Sequence, residues 1–212
     1  MFKSTDKITI IGKSGSGKTI LCRKLHESGL FKRVVVFDRM DEYSPDNYNA
    51  VCYDFNQFTY AVKRLCNYPR FKILFKFNIE GTGHDDEFNE ALRVLYYLGG
   101  VCIVVEETWN FSSAKFLPKW YREILLTGRH GQNKMLGEGI GLITTSQRPA
   151  EVHKTIFSQS NHVFCGQLFE NNDVKYVSEF IGSENAEKCR TLPIGKFLKY
   201  TINQPVSIIS NK

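Results

Sequence analysis

The sequence contains no cysteine pattern that would indicate a metal site or a redox centre. None of its cysteines is spaced as CxxC or CxxH, which excludes the usual zinc-ligand and dithiol arrangements. We therefore predict that the cysteines are small buried hydrophobes in a reducing compartment. The six are Cys22, Cys52, Cys66, Cys102, Cys165 and Cys189.

Long apolar runs are missing from the sequence as well. No stretch approaches the ~20 apolar residues that a membrane-spanning helix needs. Lys3, Asp6 and Lys7 interrupt the N-terminus before the apolar region of a signal peptide could form. Internal repeats and low-complexity tracts are also absent. These absences predict a soluble, cytoplasmic protein with no membrane span of its own.

The composition is that of an ordinary globular protein. The chain has 212 residues, of which 42% are hydrophobic and 24% are charged, enough apolar material for one core. Against a prior of about 150 residues per domain, residues 1–212 are expected to form a single domain. The formal net charge of +6 permits a polyanionic partner such as nucleic acid, and a solvated basic surface is the alternative.

Apolar runs of strand length alternate with segments of helical periodicity. This alternation indicates an α/β protein with a mostly parallel, twisted sheet flanked by helices. The last two runs, Phe197–Ile202 and Val206–Ile209, are separated by an Asn-Gln-Pro turn, which predicts a C-terminal β-hairpin. The other predicted strands are Ile8–Ile11, Val34–Phe37, Ile73–Phe77, Val101–Val105, Ile140–Thr144 and His162–Cys165.

One glycine-rich segment carries a specific chemical signature. It fits the pattern GxxxxGK[ST] and lies between a predicted strand and a helical segment, the context of a phosphate-binding loop. Glycines allow such a loop to wrap closely around phosphates with its N–H groups pointing inward. Lys18 is expected to reach the β- and γ-phosphates of ATP, and the Thr19 hydroxyl to ligate Mg²⁺. The nucleotide-binding candidates are Gly12, Lys13, Ser14, Gly15, Ser16, Gly17, Lys18 and Thr19.

Two adjacent carboxylates follow the predicted strand Val101–Val105. Ligands of α/β sheets bind at the carboxyl ends of the strands, where Glu106 and Glu107 are predicted to lie. We expect Glu106 to hold the metal ion and Glu107 to polarise the attacking water. Acidic residues are also common in turns, so this interpretation depends on the glycine loop upstream.

A polar residue lies just beyond another predicted strand. The run Ile140–Thr144 leads into the sequence TSQRP, which contains Gln147. We expect Gln147 to contact the γ-phosphate or the attacking water as an uncharged sensor. The alternative is a turn that ends at the proline and has no catalytic role.

The segment between these two strands is rich in basic residues. Trp120 and Ile124 share one helix face, which favours packing of the indole over stacking on bases. Arg129 follows Gly128 at the predicted helix end, where its guanidinium could reach a phosphate bound by a neighbouring subunit. Helix C-termini also favour arginine for structural reasons. The basic residues are Lys115, Lys119, Arg122, Arg129 and Lys134.

In this order along the chain, these motifs resemble the HerA/FtsK family of DNA-translocating ATPases. The most specific element is the run GIGLITTSQRP from Gly139 to Pro149. The stretch Asp38–Ser44 is similar to the acidic D-x-x-x-E-Y-S stretch of HerA-type proteins. The likeness extends over nearly the whole chain, and its other elements are Gly12–Thr19, Val101–Glu107, Gly128-Arg129-His130 and Leu192–Leu198.

The resemblance implies a RecA-like P-loop NTPase fold of the ASCE class. It also implies ATP hydrolysis at the subunit interfaces of a homo-oligomeric ring, hexameric or pentameric, with double-stranded DNA in the central channel. Lys18 and Thr19 match the phosphate-loop lysine and the Mg²⁺ ligand, Glu107 the water-activating glutamate, and Gln147 the polar sensor. The candidates for an arginine that acts across the interface are Arg129, Arg122 and Arg148.

The sequence departs from the family pattern at two places. The acid at the metal site is usually Asp and is Glu106 here. In addition, residues 131–138 intervene before the Gly-Ile-Gly strand. We expect this insertion, with Lys134, to face the channel and contact DNA, and Lys119 and Arg122 are further candidates for DNA binding.

The length of the chain narrows the class of protein. Cellular HerA and FtsK proteins attach further domains to the motor, whereas a bare motor of this size resembles the genome-packaging ATPases of membrane-containing tailless icosahedral viruses. The expected function is ATP-driven packaging of viral double-stranded DNA into a preformed capsid, in the host cytoplasm or at a packaging vertex with capsid proteins as partners. The alternatives are a HerA-like cellular or plasmid translocase or helicase motor, a small nucleotide kinase, and an assembly factor of the filamentous-phage type.

Overall fold

The computed structural model describes residues 2–77 and 84–211. The strands in these residues form a nine-stranded sheet in the order β3-β4-β2-β5-β6-β1-β7-β8-β9. The strands are β1 (Lys7–Ile11), β2 (Arg33–Asp38), β3 (Ala50–Cys52), β4 (Phe71–Lys76), β5 (Cys102–Val105), β6 (Gly141–Ser146), β7 (His162–Cys165), β8 (Lys196–Thr201) and β9 (Ser207–Ser210). The helices are α1 (Lys18–Glu27), α2 (Phe55–Leu65), α3 (His84–Leu98), α4 (Lys119–Thr127), α5 (Lys154–Ser158), α6 (Asn171–Ile181) and α7 (Ser183–Lys188).

The pairing of the strands confirms the predicted α/β architecture. The strands from β3 to β7 in the sheet order run parallel, and β8 and β9 add an antiparallel hairpin at one edge. Most predicted strands are found with ends shifted by one or two residues. The edge strand β3 was not predicted, because three residues are too few to show a period.

Both faces of the central strands are buried, which explains why their sequences are apolar without alternation. Val34 and Val36 of β2 pack on the face covered by α1, together with Leu21. Val35 and Phe37 point to the opposite face, where helices α2, α3, α4 and α6 contribute buried side chains. A sheet covered in this way presents its ligand site at the ends of its strands.

The topology brings the glycine loop, the acidic pair and Gln147 to one edge of the sheet. Strand β1 leads to the glycine loop, β5 to the acidic pair and β6 to Gln147, and β6 lies between the other two. Because these strands are parallel, their carboxyl ends meet at the same edge. The sheet therefore places the glycine loop, the carboxylates and the polar residue beside one another.

The cysteines are reduced, and the helices are either too short or too polar to span a membrane in the described part of the chain. All six cysteines are free thiols, and all but the partly exposed Cys66 are buried, which confirms the prediction that they act as small hydrophobes. In the described part of the chain, no helix combines the length and the apolar character needed to cross a membrane.

Candidate nucleotide site

The glycine loop connects β1 to α1 and requires backbone conformations that other residues rarely adopt. Gly15 and Gly17 have φ values of 72° and 94°, in the left-handed region that favours glycine. A side chain on Gly17 would also collide with Asn211. Helix α1 begins directly afterwards at Lys18 without a side-chain cap.

The loop holds several hydrogen-bonding groups that no protein group satisfies. Within the described ranges, the amides of Gly15, Gly17 and Lys18 donate to no acceptor, and the Ser16 hydroxyl is buried without a partner. Unpartnered N–H groups at the start of a helix, together with the positive end of its dipole, favour an anion. The residues present therefore fit the phosphates of a nucleotide.

The phosphate-loop lysine pairs with the second of the two predicted acids. The Lys18 ammonium Nζ lies 3.3 Å from Glu107 Oε1, and both side chains are less than a tenth exposed. The same Nζ donates to the Lys13 carbonyl at 3.3 Å. The structure thus brings together two residues that lie 89 positions apart in the sequence and were predicted to share one site.

Glu107 is held by its backbone as well as by its side chain. It has φ +48°, an uncommon conformation for a residue other than glycine, and such strain often occurs at functional sites. Its Oε2 accepts hydrogen bonds from Trp109 Nε1 at 2.9 Å and from the Gln147 amide at 3.0 Å. Its own amide donates to Thr145 Oγ1 at 2.9 Å. These contacts orient the Glu107 carboxylate toward Lys18.

Gln147 lies where the sequence placed it, directly after β6 and against Glu107. The contact to Glu107 is made by the Gln147 backbone. In the residues that the structure describes, its half-buried side-chain amide has no hydrogen-bond partner. That amide is therefore available to a ligand or a water molecule in the site.

Glu106 occupies a different environment from its neighbour. It is 1% exposed, one carboxylate oxygen accepts a hydrogen bond from the Tyr43 hydroxyl, and the other accepts one from Thr145. Burial raises the pKa of Glu106 to about 7. Both oxygens are thus engaged by protein donors in the interior, an arrangement that does not favour the metal-binding role expected for Glu106, and that role stays a prediction.

Thr19 contacts an acid to which the sequence had given no role. The Thr19 hydroxyl donates a hydrogen bond to Glu42, in the loop that follows β2. Glu42 and Tyr43 belong to the acidic stretch that resembled HerA-type proteins, and Thr145 to the most specific motif, so the signal for these residues was present. Among the described residues, no group of three or more His, Cys, Asp or Glu side chains is placed to hold a metal ion.

Arg129 lies at the opposite edge of the sheet from the glycine loop. The carbonyl of the preceding Gly128 accepts a hydrogen bond from the amide of Ile140, at the amino end of β6. The six residues of β6 separate this edge from Gln147 by about 20 Å. The exposed guanidinium of Arg129 therefore does not reach Glu107 of its own chain.

The other candidate arginines are also exposed. Arg148 follows Gln147 at the nucleotide edge, and its guanidinium lies 3.8 Å from Glu151. Arg122 lies on the outer face of α4. A choice among the three arginines depends on the geometry between subunits and stays a prediction.

Lys134 lies largely inside the protein. Lys134 is only 9% exposed, its Nζ donates to the Tyr96 carbonyl at 2.9 Å, and it lies 3.6 Å from the centre of the Tyr96 ring. Residues 131–138, which contain Lys134, are hydrogen-bonded to the end of α3. The amides of Met135 and Leu136 donate to the carbonyls of Tyr97 and Leu98. An ammonium engaged in this way is turned toward the protein, so this geometry does not favour the contact with DNA phosphates expected for Lys134, and that contact stays a prediction.

Helix α4 bears the two remaining DNA-binding candidates. Lys119 is exposed and its ammonium lies 5.2 Å from the Trp120 ring, while Arg122 is exposed one turn further on. The Trp120 ring packs 5.3 Å from Tyr96 and 5.5 Å from Tyr97, which confirms that this indole is packed in the protein. DNA contacts by Lys119 and Arg122 stay predictions.

The C-terminal hairpin contacts the glycine loop directly. Asn211 Nδ2 donates to the Gly17 carbonyl at 3.0 Å, and the Asn211 amide donates to the Gly195 carbonyl at 2.9 Å. The Gly195 amide in turn donates to the Ser16 carbonyl at 3.1 Å. No local signal in the sequence indicates this contact, because Asn211 and Gly17 are 194 positions apart.

Fold and site together have the arrangement of the P-loop NTPase fold: a mostly parallel sheet in which β1 leads into a glycine-rich loop, with an acid from β5 and a polar residue from β6 beside it. Neither a family model nor a curated protein matches the sequence.

The chain is similar to the genome packaging NTPase B204 from Sulfolobus turreted icosahedral virus 2. In the complex with sulfate the identity is 17% and the TM-score 0.73, over 98% of this chain and 96% of that chain. In the complex with AMPPCP the identity is 19% and the TM-score 0.71, over 98% of both chains.

Two further solved structures share the fold. B204, the DNA-packaging ATPase from Sulfolobus Turreted Icosahedral Virus, has 21% identity and a TM-score of 0.66 over 98% of both chains. EssC (ATPases 2 and 3) from Geobacillus thermodenitrificans has 12% identity and a TM-score of 0.52, over 97% of this chain and 40% of that chain. At these identities the comparisons show the fold, and they agree with the resemblance to packaging ATPases found in the motifs.

Proposed function

We propose that this chain is a single ATPase motor domain, residues 1–212, that hydrolyses ATP to move double-stranded DNA during packaging of a viral genome into a preformed capsid. The observation that carries the proposal is the juxtaposition of Lys18, Glu107 and Gln147 at one edge of the sheet. It is supported by the match of the fold to packaging NTPases over nearly the full length of both chains.

Each residue of the site has a defined task in hydrolysis. The unpartnered amides of the glycine loop and the Lys18 ammonium bind the β- and γ-phosphates. The Glu107 carboxylate accepts a proton from water as the water oxygen bonds to the γ-phosphorus and the bond to the bridging oxygen breaks, which releases ADP. The Gln147 amide orients that water or the γ-phosphate.

The ion pair between Lys18 and Glu107 gives the site a resting arrangement. While Lys18 is paired with Glu107, the ammonium and the carboxylate engage each other and neither is free to contact the nucleotide. The phosphates of ATP compete for the Lys18 ammonium, so nucleotide binding frees the base. Activation of the base is thereby coupled to the presence of its substrate.

Mg²⁺ supplies charge neutralisation at the β- and γ-phosphate oxygens when it is bound. The Thr19 hydroxyl is the group of the glycine loop that would hold it. The Thr19 oxygen keeps a lone pair for the ion while its proton is donated to a carboxylate.

Assembly into a hexameric or pentameric ring supplies an arginine from the neighbouring subunit and a channel for DNA. Arg129 is too far from Glu107 of its own chain. In this proposal it serves the site of a neighbour, with Arg122 and Arg148 as alternatives. Lys119 and Arg122 are exposed cations for the DNA backbone. In this proposal the ring works in the host cytoplasm and docks on capsid vertex proteins.

The experiment that tests the proposal combines ATPase and translocation measurements on the full chain. We expect phosphate release from ATP without any acceptor, stimulation by double-stranded DNA, and displacement of a third strand from a triplex placed ahead of the motor. Glu107→Gln is the matched control, and it should bind DNA but displace no strand. Hydrolysis without strand displacement would leave an ATPase that does not move DNA, and phosphate transfer to an added nucleoside monophosphate would indicate a kinase.

A further inference from the structure

The loop after β2 places a second carboxylate at the nucleotide site. From this geometry we propose that Glu42, and not Glu106, is the acid on the metal side of the site, where it accepts the Thr19 hydrogen bond. In this arrangement Glu106 is a positioning residue that anchors the loop carrying Glu42. Because the inference concerns metal binding by the same site, it rests on the proposed function.

Asp38, at the end of β2, holds the backbone of the following loop by hydrogen bonds. Its carboxylate oxygens accept hydrogen bonds from the amides of Met40 at 3.2 Å, Glu42 at 3.1 Å and Tyr43 at 2.9 Å. Asp38 is 1% exposed, so the amides of the loop replace water around a buried carboxylate. The path of the backbone from Asp38 to Tyr43 is therefore determined by one side chain.

Tyr43 and Glu106 anchor the far end of the loop. The Tyr43 ring is 3% exposed, and its hydroxyl donates to Glu106 in the interior. The other Glu106 oxygen accepts a hydrogen bond from the Thr145 hydroxyl. The same hydroxyl accepts a hydrogen bond from the Glu107 amide. Glu106 thus connects the loop after β2 to the strands β5 and β6, and its oxygens have protein partners in place of a metal ion.

The hydrogen bonds of Asp38 and Tyr43 determine where Glu42 lies. Its carboxylate is exposed at the mouth of the site and accepts the hydrogen bond of Thr19, the second residue of α1. The Arg23 side chain fixes the same residue by donating to the Glu42 carbonyl, and the Arg23 guanidinium lies 4.7 Å from the centre of the Tyr43 ring. Glu42 is therefore held from its backbone and from its side chain.

Hydrogen-bond chemistry explains why this placement suits a cation. A threonine hydroxyl has one proton and two lone pairs, so it can donate to a carboxylate and offer a lone pair to Mg²⁺ at the same time. An acid that accepts from a metal-ligating group orients that group and adds negative charge beside the ion. Mg²⁺ usually combines one or two carboxylates with substrate phosphates and water, and Glu42 provides an exposed carboxylate next to the phosphate loop.

An independent observation indicates that a ligand belongs at this point. Ser16 Oγ is buried in the glycine loop without any hydrogen-bond partner, three positions before Thr19. Together with the free amides of Gly15 and Gly17, it leaves polar groups that a bound phosphate would satisfy. Glu42 and Thr19 therefore lie beside a site with unmet hydrogen-bonding capacity.

The test compares how two carboxylates affect metal binding, without relying on turnover. The affinity for AMPPCP is measured by calorimetry with Mg²⁺ and with EDTA, and Mn²⁺ binding to the AMPPCP complex is followed by electron paramagnetic resonance. We expect Glu42→Gln to weaken Mn²⁺ binding by about 10–100-fold, the usual effect of losing a group that orients a metal ligand. Glu106→Gln should keep the Mn²⁺ affinity within a few-fold of wild type, because the amide still accepts from Tyr43.

The control is Glu90→Gln, a partly exposed acid of α3 paired with Arg93, which should leave metal binding unchanged. Wild-type Mn²⁺ affinity in Glu42→Gln, or an equal or larger loss in Glu106→Gln, would overturn the assignment. If wild type binds AMPPCP equally well with and without metal, the assignment fails while nucleotide binding stands. A wild-type chain that binds no AMPPCP at all would overturn the proposed function together with it.

Discussion

The Lys18 ammonium lies 3.3 Å from a carboxylate oxygen of Glu107, and both side chains are shielded from solvent. The ion pair joins the start of α1 to the end of β5 across the intervening strand β6. Its two members are the proposed phosphate ligand and the proposed base, so the nucleotide must separate them before hydrolysis. Substitutions at these two positions should therefore affect different steps.

Glu107→Gln should separate binding from turnover. The amide keeps the size of the side chain and an acceptor for Trp109 and Gln147, but it cannot take a proton from water. We expect ATP to bind with an affinity similar to or higher than wild type, while phosphate release falls by about 10²–10⁴-fold, the usual contribution of a general base. Glu184→Gln, which alters an exposed acid paired with Lys188, is the control. Wild-type turnover by Glu107→Gln would exclude Glu107 as the base.

Lys18→Ala should act mainly on binding. A hydrogen bond to a charged group contributes about 1.5–3 kcal/mol, so its loss should weaken ATP binding by roughly 10–150-fold. Removal of Lys18 also leaves the buried Glu107 without its cation, and the added Glu107→Gln should recover part of any lost stability. Calorimetry and urea unfolding measure the two effects. Unchanged ATP affinity in Lys18→Ala would contradict the assignment.

Local patterns were enough to predict most of the fold and the central part of the site. The strands β2 and β5 are nearly pure apolar runs, and the glycine loop is recognised by its spacing alone. The partners of Glu106 and Lys134 were not predictable in this way. Lys134 is buried against Tyr96, 38 positions earlier, whose carbonyl and ring it contacts. Glu106 is buried against Tyr43, 63 positions earlier, whose hydroxyl donates a hydrogen bond to it. Such contacts depend on tertiary structure and cannot be recognised from the residues that neighbour Glu106 or Lys134 in the sequence.

His26 should make the stability of the protein sensitive to acid. It is 1% exposed with both ring nitrogens unpartnered, and burial lowers its pKa from 6.5 to about 4, with Lys72 and Arg23 adding to the effect and Glu27 opposing it. Below pH 6.5 the unfolded chain takes up a proton that the native chain does not, so stability falls as the pH falls. Between pH 7.5 and pH 5 this amounts to about 2 kcal/mol.

Urea unfolding of wild type and His26→Leu at these two pH values checks the prediction. His26→Leu removes the titrating group and should lose about 2 kcal/mol less than wild type between pH 7.5 and pH 5. Substitution of the exposed His130 by leucine is the control and should follow wild type. Parallel losses in wild type and His26→Leu would show that His26 is not responsible.

Asn211 should position the glycine loop from the far end of the chain. Asn211→Ala removes the hydrogen bond to the Gly17 carbonyl, a loss of about 0.5–1.5 kcal/mol, and loosens the loop that binds phosphate. We expect the dissociation constant for ATP to rise by a few-fold. Asn211→Asp keeps the size but cannot donate, and it adds a negative charge beside the phosphate loop, so it should weaken ATP binding at least as much as Asn211→Ala. Gln204→Ala, in the exposed turn of the same hairpin, is the control, and an unchanged dissociation constant in both Asn211 variants would exclude the positioning role.

The position of Arg129 at the opposite edge of the sheet predicts complementation between two inactive variants. Arg129→Ala keeps Glu107 but cannot serve the neighbouring site, and Glu107→Gln keeps Arg129 but lacks the base. In a mixed ring, a subunit with Arg129→Ala that receives Arg129 from a Glu107→Gln neighbour has a complete site. An arginine acting in trans contributes about 10³–10⁵-fold in rate, so activity regained on mixing should be easy to detect.

Phosphate release measured across mixing ratios distinguishes this arrangement from a site completed within one chain. We expect each variant alone to be nearly inactive and the mixture to pass through a maximum near equal proportions. The same experiment with Arg122→Ala or Arg148→Ala in place of Arg129→Ala identifies the residue that acts across the interface, because only that variant combines low activity alone with recovery in the mixture. If Arg129→Ala is fully active by itself, one of the other two arginines, or none, has this role.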